Sequence, residues 1–422
     1  MPLPNAHHST FPASDGALIH LVSSLPLTNP DPSYIPTSPI LTFSGPTGTL
    51  TSGAAPVANN RKRSESKASM ISEEGPNYSR LILLLHGFSG SSEYFQRNWE
   101  ELSKKHWVVA WDMRGHGRSG LRRYRGSKTT YPQHQPPTKP KKDTKFETYT
   151  GGYHVARLAM DLHNLLSHLR SLRLKSTPTN PLPSSLPLPS SLPSSLPPLP
   201  PLEIVPIGCS IGAAILWTYI ELFGSSSSSS QDCPFSGYIF VDQAPLQDRS
   251  LFGSWDETKA HKGCFNEATM LAAQKAWNKP AAERHDTHLG LVNECLGYRF
   301  HPLPTDTITD QQRRDDEEFF TRISAECESG EWLAKLIGDH TRYDHREACE
   351  MISKPVLVMG GKRSGCFSLE GMEEVVKRAR KGGNNEKGGE VSWFESGHWL
   401  FWEEAERFNG EVLGFVRGCW SE

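Results

Sequence analysis

The stretch Leu202–Trp217, LEIVPIGCSIGAAILW, decides the fold of this chain. An apolar run ends in Gly-Cys-Ser-Ile-Gly, and a second apolar run with helical spacing follows at once. A strand that reverses into a helix over so few residues leaves no room for side chains at Gly208 and Gly212. This context predicts that Ser210 occupies the tip of a strained turn with its hydroxyl available as a nucleophile. The alternative is an ordinary turn serine.

Pro206 is the one residue of this stretch that disagrees with a regular central strand. A proline removes a ladder hydrogen bond, so it is normally confined to edge strands and bulges. We therefore expect the strand to bulge or to stop at Pro206, two residues before Gly208.

The composition limits the classes of protein to consider. The chain has 422 residues, of which only 36% are hydrophobic, together with 32 prolines and 35 glycines. Part of the length is therefore predicted to be loop or disordered segment. The net charge of −2 gives no indication of nucleic acid binding. No stretch approaches the roughly 20 apolar residues of a membrane span.

The cysteines and the N-terminus bear on location. Eight cysteines are scattered without a Cys-x-x-Cys pair, which predicts reduced thiols in a cytoplasmic protein. The first residues lack a basic region followed by an apolar core, so no secretory signal is expected. The oligomeric state is left open.

Apolar runs bounded by turn residues predict the remaining elements. Helical spacing is seen after Phe95, from Tyr153, at Gly371–Arg380 and in a closing helix. Strands are predicted at residues 18–22, 39–43, 81–85, 107–111, 237–241, 356–359 and 391–394. Strands that alternate with helices in this way predict an α/β fold, with a mostly parallel central sheet covered by helices on both faces.

The predicted organisation has four parts. Residues 1–79 hold N-terminal strands with flexible insertions, and residues 80–245 hold most of the core. Residues 246–353 read as helical without strand signals, and residues 354–422 return to the core. Low-complexity segments interrupt the core at the Pro/Ser/Leu run 176–201 and the serine tract 225–230.

Two of the low-complexity or charged segments have a second interpretation. The Pro/Ser/Leu run is predicted to be a disordered surface insertion, with docking of a proline-binding partner as the alternative. The basic groups at residues 61–63 and 139–142 are predicted to be solvated loops, although the first could also be a localisation signal.

Candidate functional residues follow strand after strand. His86, Ser210, Asp242 and His398 each lie just beyond the end of a predicted strand. The carboxyl ends of parallel strands meet at one edge of the sheet, which is where ligands bind. We therefore expect these side chains to converge there.

At this point the chain resembles the α/β-hydrolase superfamily over about residues 80–420. Four stretches carry the resemblance: His86–Gly90 (HGFSG), Asp112–Ser119 (DMRGHGRS), Gly208–Gly212 (GCSIG) and Ser396–Trp399 (SGHW). The resemblance implies an α/β-hydrolase fold with residues 246–353 as a helical cap, a small-molecule substrate and no cofactor. Two further stretches, Trp217–Gly224 and Phe240–Pro245, look most like the cofactor-free haloperoxidase/esterase group.

The catalytic roles follow from the needs of a serine nucleophile. Serine is a poor nucleophile unless a base takes its proton, and His398, after the last strand, is the predicted base. The backbone N–H groups of Phe88 and Ile211 are predicted to form the oxyanion hole. The segment His285–His288 (HDTH) fits no metal motif well, so no metal site is predicted there.

The acid is where this sequence departs from the superfamily. Members usually place it soon after the strand that here is Val356–Met359, but the window Gly361–Cys366 contains no carboxylate and has Ser364 at about that place. Some members carry the acid one strand earlier, where this chain has Asp242. We predict Asp242, with Glu370 and Glu395 as alternatives and a turn-capping aspartate as the other interpretation of Asp242.

Asp112 and Arg114 follow another strand and are predicted to be structural rather than catalytic. Such a pair often fixes neighbouring loops through a mutual salt bridge.

Taken together, these residues predict a serine hydrolase that cleaves a carboxylic ester through an acyl-enzyme on Ser210. The alternatives are carbon–carbon or amide hydrolysis, a perhydrolase- or haloperoxidase-like reaction, and a non-catalytic protein that binds ligands or acts as a scaffold. Trp255, Trp277 and Trp332 in the predicted cap favour an apolar or aromatic substrate.

Overall fold

The computed structural model describes residues 3–27, 77–124, 146–176, 202–224, 235–247, 267–382 and 389–420. Several predicted features lie outside these residues: the strand 39–43, the basic groups 61–63 and 139–142, the serine tract, Trp255, and all but Ser176 of the Pro/Ser/Leu run.

An eight-stranded sheet forms the centre of the fold, in the order β1-β2-β4-β3-β7-β8-β9-β10. The pairs β1–β2 and β2–β4 are antiparallel, and every later pair is parallel. Strands β5 and β6 form a separate antiparallel hairpin. The strands are β1 His7–Pro12, β2 Leu18–Ser23, β3 Asn77–Leu85, β4 His106–Trp111, β5 Arg122–Tyr124, β6 Phe146–Thr148, β7 Glu203–Cys209, β8 Tyr238–Val241, β9 Val356–Gly361 and β10 Gly389–Phe394.

Helices connect the parallel strands and cover the sheet. Helix α1 packs against α12, and α2 packs against α3, which also contacts α9. The helices are α1 Gln96–Ser103, α2 Val155–Ser176, α3 Ile211–Phe223, α4 Glu267–Trp277, α5 His285–Cys295, α6 Gly297–Phe300, α7 Asp310–Ala325, α8 Gly330–His340, α9 Arg346–Glu350, α10 Leu369–Lys381, α11 Leu400–Glu403 and α12 Ala405–Trp420. The predicted α/β fold with a mostly parallel sheet is confirmed.

Helices α4 to α9 follow one another between β8 and β9. Across the described residues, no helix combines the length and the apolar character needed to cross a membrane.

The central strands are buried on both faces, as their continuous apolar sequences predicted. Residues Leu81–Leu85 of β3 are 0% exposed, and all six residues of β4 are buried. Strand β7, which leads to Ser210, lies between β3 and β8 in the middle of the sheet.

The expectation that β7 bulges or stops at Pro206 is wrong. Strand β7 continues through this residue, which pairs in register with Leu83 of β3. The irregularity falls instead on the neighbouring segment: Ile204 pairs with Phe235 and Ile207 with Ile239, so one extra residue lies between the two pairs. Proline has no N–H, so Pro206 offers no donor to residues 235–239, and the pairing with that segment is irregular there.

Asp112 and Arg114 do not pair with each other, contrary to the sequence prediction. The fully buried Arg114 guanidinium donates to both carboxylate oxygens of Asp161 on α2, at 2.6 Å each, and also to Asp15 before β2. Asp112 Oδ2 lies 2.9 Å from His20 Nδ1 on β2. Each residue therefore ties the β4 loop to a different segment distant in sequence.

The Arg114–Asp161 pair is expected to matter for stability because a buried charge left without a partner is costly. Replacement of Asp161 by alanine should lower the free energy of unfolding by about 3 kcal/mol. Urea denaturation followed by circular dichroism measures this change. The control is Glu331→Ala, which removes the exposed ion pair with Lys335 and should leave the midpoint nearly unchanged. Equal midpoints for the two variants would contradict this account.

Candidate active site

The turn between β7 and α3 presents Ser210 as the sequence context predicted. Ser210 has φ 53° and ψ −122°, a conformation that non-glycine residues rarely adopt. Its N–H donates to Val241 O at 2.9 Å, which anchors the turn to the end of β8. The Ser210 side chain caps no N–H of α3 and is partly exposed, whereas its neighbours Cys209 and Ile211 are buried. The hydroxyl is therefore held at the surface of the turn.

Glycines make this turn possible because other atoms occupy the space of their missing side chains. A Cβ atom at Gly208 would lie 2.7 Å from Ala213 N, and one at Gly212 would lie 2.7 Å from Leu85 O. Both distances are far below van der Waals contact. The two glycines therefore allow the close approach of α3 to β7 and β3.

Cys209, directly before Ser210, is not a competing nucleophile. Burial, and secondly the charge of Asp242, raise the pKa of the Cys209 thiol well above its usual value. The thiol consequently stays protonated and poorly reactive.

The loop after β3 lies against Ser210. A Cβ atom at Gly87 would be 3.4 Å from Ser210 Cβ. His86 braces this loop: its Nδ1 lies 2.8 Å from Gly87 O and its Nε2 accepts the Met113 N–H at 3.0 Å. Burial lowers the pKa of His86 to about 4, so the ring is neutral and can donate from one nitrogen and accept at the other.

The two residues predicted for the oxyanion hole flank Ser210. Ile211 begins α3, so its N–H has no acceptor within the helix. Phe88 follows Gly87, which touches Ser210, and its ring packs edge-on against Trp277 of α4 with centroids 5.2 Å apart. The structure thus brings both residues next to the serine; their role stays a prediction.

Asp242 and His398 are joined by a short hydrogen bond. His398 Nδ1 lies 2.6 Å from Asp242 Oδ1, and the two side chains are 7% and 0% exposed. Asp242 comes directly after β8 and His398 follows β10, so the two residues meet although they are far apart in sequence. A carboxylate at Nδ1 holds the proton on that nitrogen and leaves Nε2 able to act as a base.

The other oxygen contacts of Asp242 explain how a fully buried carboxylate is tolerated. Oδ2 accepts the Gly361 N–H at 2.8 Å, and Oδ1 also accepts the Ser364 hydroxyl at 2.7 Å. The Ser364 oxygen in turn accepts the N–H groups of Cys366 at 3.1 Å and Phe367 at 3.3 Å. Ser364, at the place where the resemblance leads one to expect the acid, therefore supports Asp242, which follows the preceding strand.

The alternative acids do not reach the histidine. Glu370 lies on the first turn of α10 and is exposed. Glu395 is also exposed and pairs with Lys362. Asp242 is the carboxylate that hydrogen-bonds to His398 within the part of the chain that the structure describes. The interpretation of Asp242 as a simple turn cap does not account for this contact.

Ser210 and His398 are not hydrogen-bonded to each other: no such bond joins them among the described residues. In free enzymes the bond between nucleophile and base is often long and tightens only when substrate binds.

Sequence reasoning missed a partly buried glutamate that holds the His398 loop. Glu403 accepts the Gly297 N–H at 2.9 Å and the Gly397 N–H at 2.8 Å, and so joins α6 to the residue before His398. Burial raises the pKa of Glu403 to about 7. Its position on a short helix after the histidine gave no motif that could have identified it.

Of the two described tryptophans in the predicted cap, only Trp277 touches the loop beside Ser210. Trp332 packs against His116, and its Nε1 donates to Gly151 O at 3.0 Å. The second tryptophan therefore supports the loop after β4.

The chain matches the alpha/beta hydrolase family over residues 82–411. Comparison with curated protein sequences gives no match.

Several solved structures share the fold at low sequence identity. An esterase from Exiguobacterium antarcticum is 15% identical with a TM-score of 0.53, covering 80% of this chain and 92% of its own. A bromoperoxidase from Bacillus anthracis is 14% identical with a TM-score of 0.57, covering 97% and 100%. The esterase RhEst1 from Rhodococcus sp. ECU1013 is 14% identical with a TM-score of 0.51, covering 81% and 92%.

The close approach at the turn predicts that even one methyl group at position 212 is harmful. Gly212→Ala should lower stability by about 1–3 kcal/mol, because the new Cβ would collide with backbone of β3 that cannot move aside. The matched control is Gly410→Ala on the exposed side of α12, where a Cβ atom meets open space. That variant should be unchanged or stabilised by up to about 1 kcal/mol. Thermal melting measures both, and equal melting temperatures would show that the turn is not tightly packed.

Proposed function

The chain belongs to the alpha/beta hydrolase family, and from this premise we propose that it is a serine hydrolase that cleaves a carboxylic ester through an acyl-enzyme on Ser210. The resemblance inferred from the four sequence stretches is thereby confirmed at the level of the family. Membership of the family supports hydrolysis of a small-molecule substrate.

The observation that carries the proposal is the hydrogen bond between His398 Nδ1 and Asp242 Oδ1. A buried carboxylate fixes the tautomer of the imidazole and stabilises the imidazolium that forms when it accepts a proton. The strained conformation of Ser210, close to Gly87, gives independent support.

The reaction follows from these positions. His398 Nε2 takes the proton of the Ser210 hydroxyl while Oγ attacks the ester carbonyl. The N–H groups of Phe88 and Ile211 donate to the oxyanion of the tetrahedral intermediate. His398 then gives its proton to the departing alcohol, which leaves the acyl group on Ser210. A water molecule, deprotonated by the same nitrogen, releases the acid and restores the serine.

Three donors hold the Asp242 carboxyl group in place: the His398 ring, the Gly361 N–H and the Ser364 hydroxyl. In the proposed cycle the carboxyl group therefore stays beside the imidazole in both steps.

The side chains around the site favour an apolar or aromatic substrate group. The ring of Phe88 packs against Trp277, and the ring of Phe367 lies 5.8 Å from that of His398. These aromatic surfaces can bind an acyl or alcohol group of matching polarity. The esterase names of similar structures agree with an ester substrate. Catalysis of this kind needs no cofactor, and the cytoplasmic location inferred from the cysteines stays a prediction.

A fluorophosphonate probe tests whether Ser210 is a nucleophile. The wild-type protein should be labelled once per chain, and Ser210→Ala should not be labelled. The control is Ser324→Ala, because Ser324 is a buried serine on α7 whose Oγ lies 2.7 Å from His288 Nδ1. This control should be labelled like the wild type. A well-folded wild-type protein that remains unlabelled would favour the non-catalytic alternative.

Ester turnover tests the assignment of the acid. Asp242→Asn keeps the shape of the side chain but disfavours the reactive tautomer of His398, so kcat for a p-nitrophenyl ester should fall by about 10⁴-fold. Glu370→Gln and Glu395→Gln are the controls and should keep wild-type kcat. The assignment is wrong if Asp242→Asn turns over normally while either glutamine variant is inactive.

A further inference from the structure

Two cysteines lie beside His398, and the reaction proposed above gives them no role. Cys295 Sγ and Cys366 Sγ are 3.8 Å apart. These two sulfur atoms and a ring nitrogen of His398 all lie within 4.8 Å of one another. The exposed fractions of the three residues are 1%, 6% and 7%, so the group is shielded from bulk water. We call these residues the Cys295–Cys366–His398 cluster.

We propose that the Cys295–Cys366–His398 cluster is a binding site for a thiophilic divalent cation such as Zn²⁺, and that the bound cation inhibits the enzyme. Binding of the cation stands on the cluster alone. The inhibition rests on the function proposed above, because it requires His398 to be the catalytic base.

The spacing of the sulfur atoms fits one tetrahedral ion. Two thiolates at about 2.3 Å from a tetrahedral Zn²⁺ lie about 3.8 Å from each other, which matches the separation of Cys295 Sγ and Cys366 Sγ. A disulfide would need the sulfur atoms at about 2.05 Å, so the present positions suit a shared metal better than a covalent bond. Sulfur and imidazole nitrogen are the ligands that Zn²⁺ prefers.

His398 is already oriented as metal-binding histidines are. Its Nδ1 is occupied by Asp242, so Nε2 is the nitrogen left for a cation. Histidine ligands commonly donate their other ring N–H to a carboxylate, which fixes the ring and makes the ligating nitrogen more basic. His398 can therefore act as a base when no cation is bound and as a metal ligand when a cation is bound.

The charges balance in this buried place. Binding releases one proton from each thiol to solvent, and two thiolates neutralise the dication while His398 binds as a neutral ligand. No electron is transferred, and no bond is broken except the two S–H bonds. A neutral complex avoids the high cost of leaving an unpaired charge out of water.

Backbone hydrogen bonds hold the ligands together before any cation arrives. The Trp399 N–H, next to His398, donates to Cys295 O at 3.1 Å. The Gly365 N–H, next to Cys366, donates to the carbonyl oxygen of residue 294 at 3.1 Å. These two hydrogen bonds therefore join the segments that carry Cys295, Cys366 and His398. A site organised in this way needs little rearrangement to bind.

Occupation of the cluster removes the base. A lone pair of Nε2 that is bound to a cation cannot accept the proton of Ser210, so acylation stops. The inhibition is reversible by a chelator because no covalent bond is formed.

Titration of the metal-stripped, full-length protein with Cd²⁺ under a reductant tests the proposal, with the reductant excluding disulfide formation. We expect one Cd²⁺ per chain, an ultraviolet thiolate-to-metal charge-transfer band, and at least tenfold slower fluorophosphonate labelling, all reversed by a chelator. Loss of an outer-shell partner weakens metal binding by roughly 10- to 100-fold. Cys366→Ser removes a ligand itself and should therefore weaken Cd²⁺ binding by more than this. In that variant Cd²⁺ should no longer slow labelling.

The control is Cys327→Ser, which removes another buried thiol and should bind Cd²⁺ as the wild type does. If Cys366→Ser folds poorly, His398→Gln removes a different ligand, and this variant should also weaken Cd²⁺ binding. The proposal is overturned if the wild type shows no thiolate band, or if Cys366→Ser and His398→Gln bind Cd²⁺ with unchanged affinity. A wild type that shows the band but is unlabelled by the probe even without Cd²⁺ would retain the metal site and refute the proposed catalysis.

Discussion

The hydrogen bond between Asp242 and His398 is the interaction on which the candidate site depends. A carboxylate that is fully buried is costly unless strong donors replace its water. Here a ring nitrogen, a hydroxyl and a backbone N–H supply that replacement. The contact with His398 that helps to make the charge tolerable also fixes the orientation of the His398 ring through Nδ1. The same atoms therefore stabilise the buried carboxylate and orient the histidine that we propose as the base.

The sheet supplies the positions that this interaction needs. Strands β7, β8 and β9 are parallel neighbours, so the residues that follow them emerge at the same edge. The Asp242 N–H donates to Met359 O, and its side chain accepts from Gly361, so the acid at the end of β8 is fixed to β9 on two sides. The Ser210 N–H is tied to Val241 in the same way. The register of the core strands therefore fixes the positions of Ser210 and Asp242.

Much of this arrangement could be predicted from the sequence because it depends on patterns of residues that are close together in the chain. The apolar run before Ser210, its two glycines and the alternation of strands and helices identified the turn and the parallel sheet. The choice of Asp242 depends on the absence of a carboxylate at the usual place and on superfamily members that carry the acid one strand earlier. The partners of Arg114 and Asp112, the support from Ser364 and the thiols beside His398 could not be predicted. They join segments far apart in sequence, and no spacing rule relates such residues before the chain is folded.

The central claim is that Ser210 carries the acyl group during turnover. The most direct measurement is rapid mixing with p-nitrophenyl acetate, followed by an acid quench and peptide mass spectrometry. The account predicts a burst of one p-nitrophenol per chain and an acetyl group on the peptide that contains Ser210. Asp242→Asn should slow this acetylation strongly. An acetyl group found only on another residue, or turnover without any acylated peptide under conditions that trap a known acyl-enzyme, would contradict it.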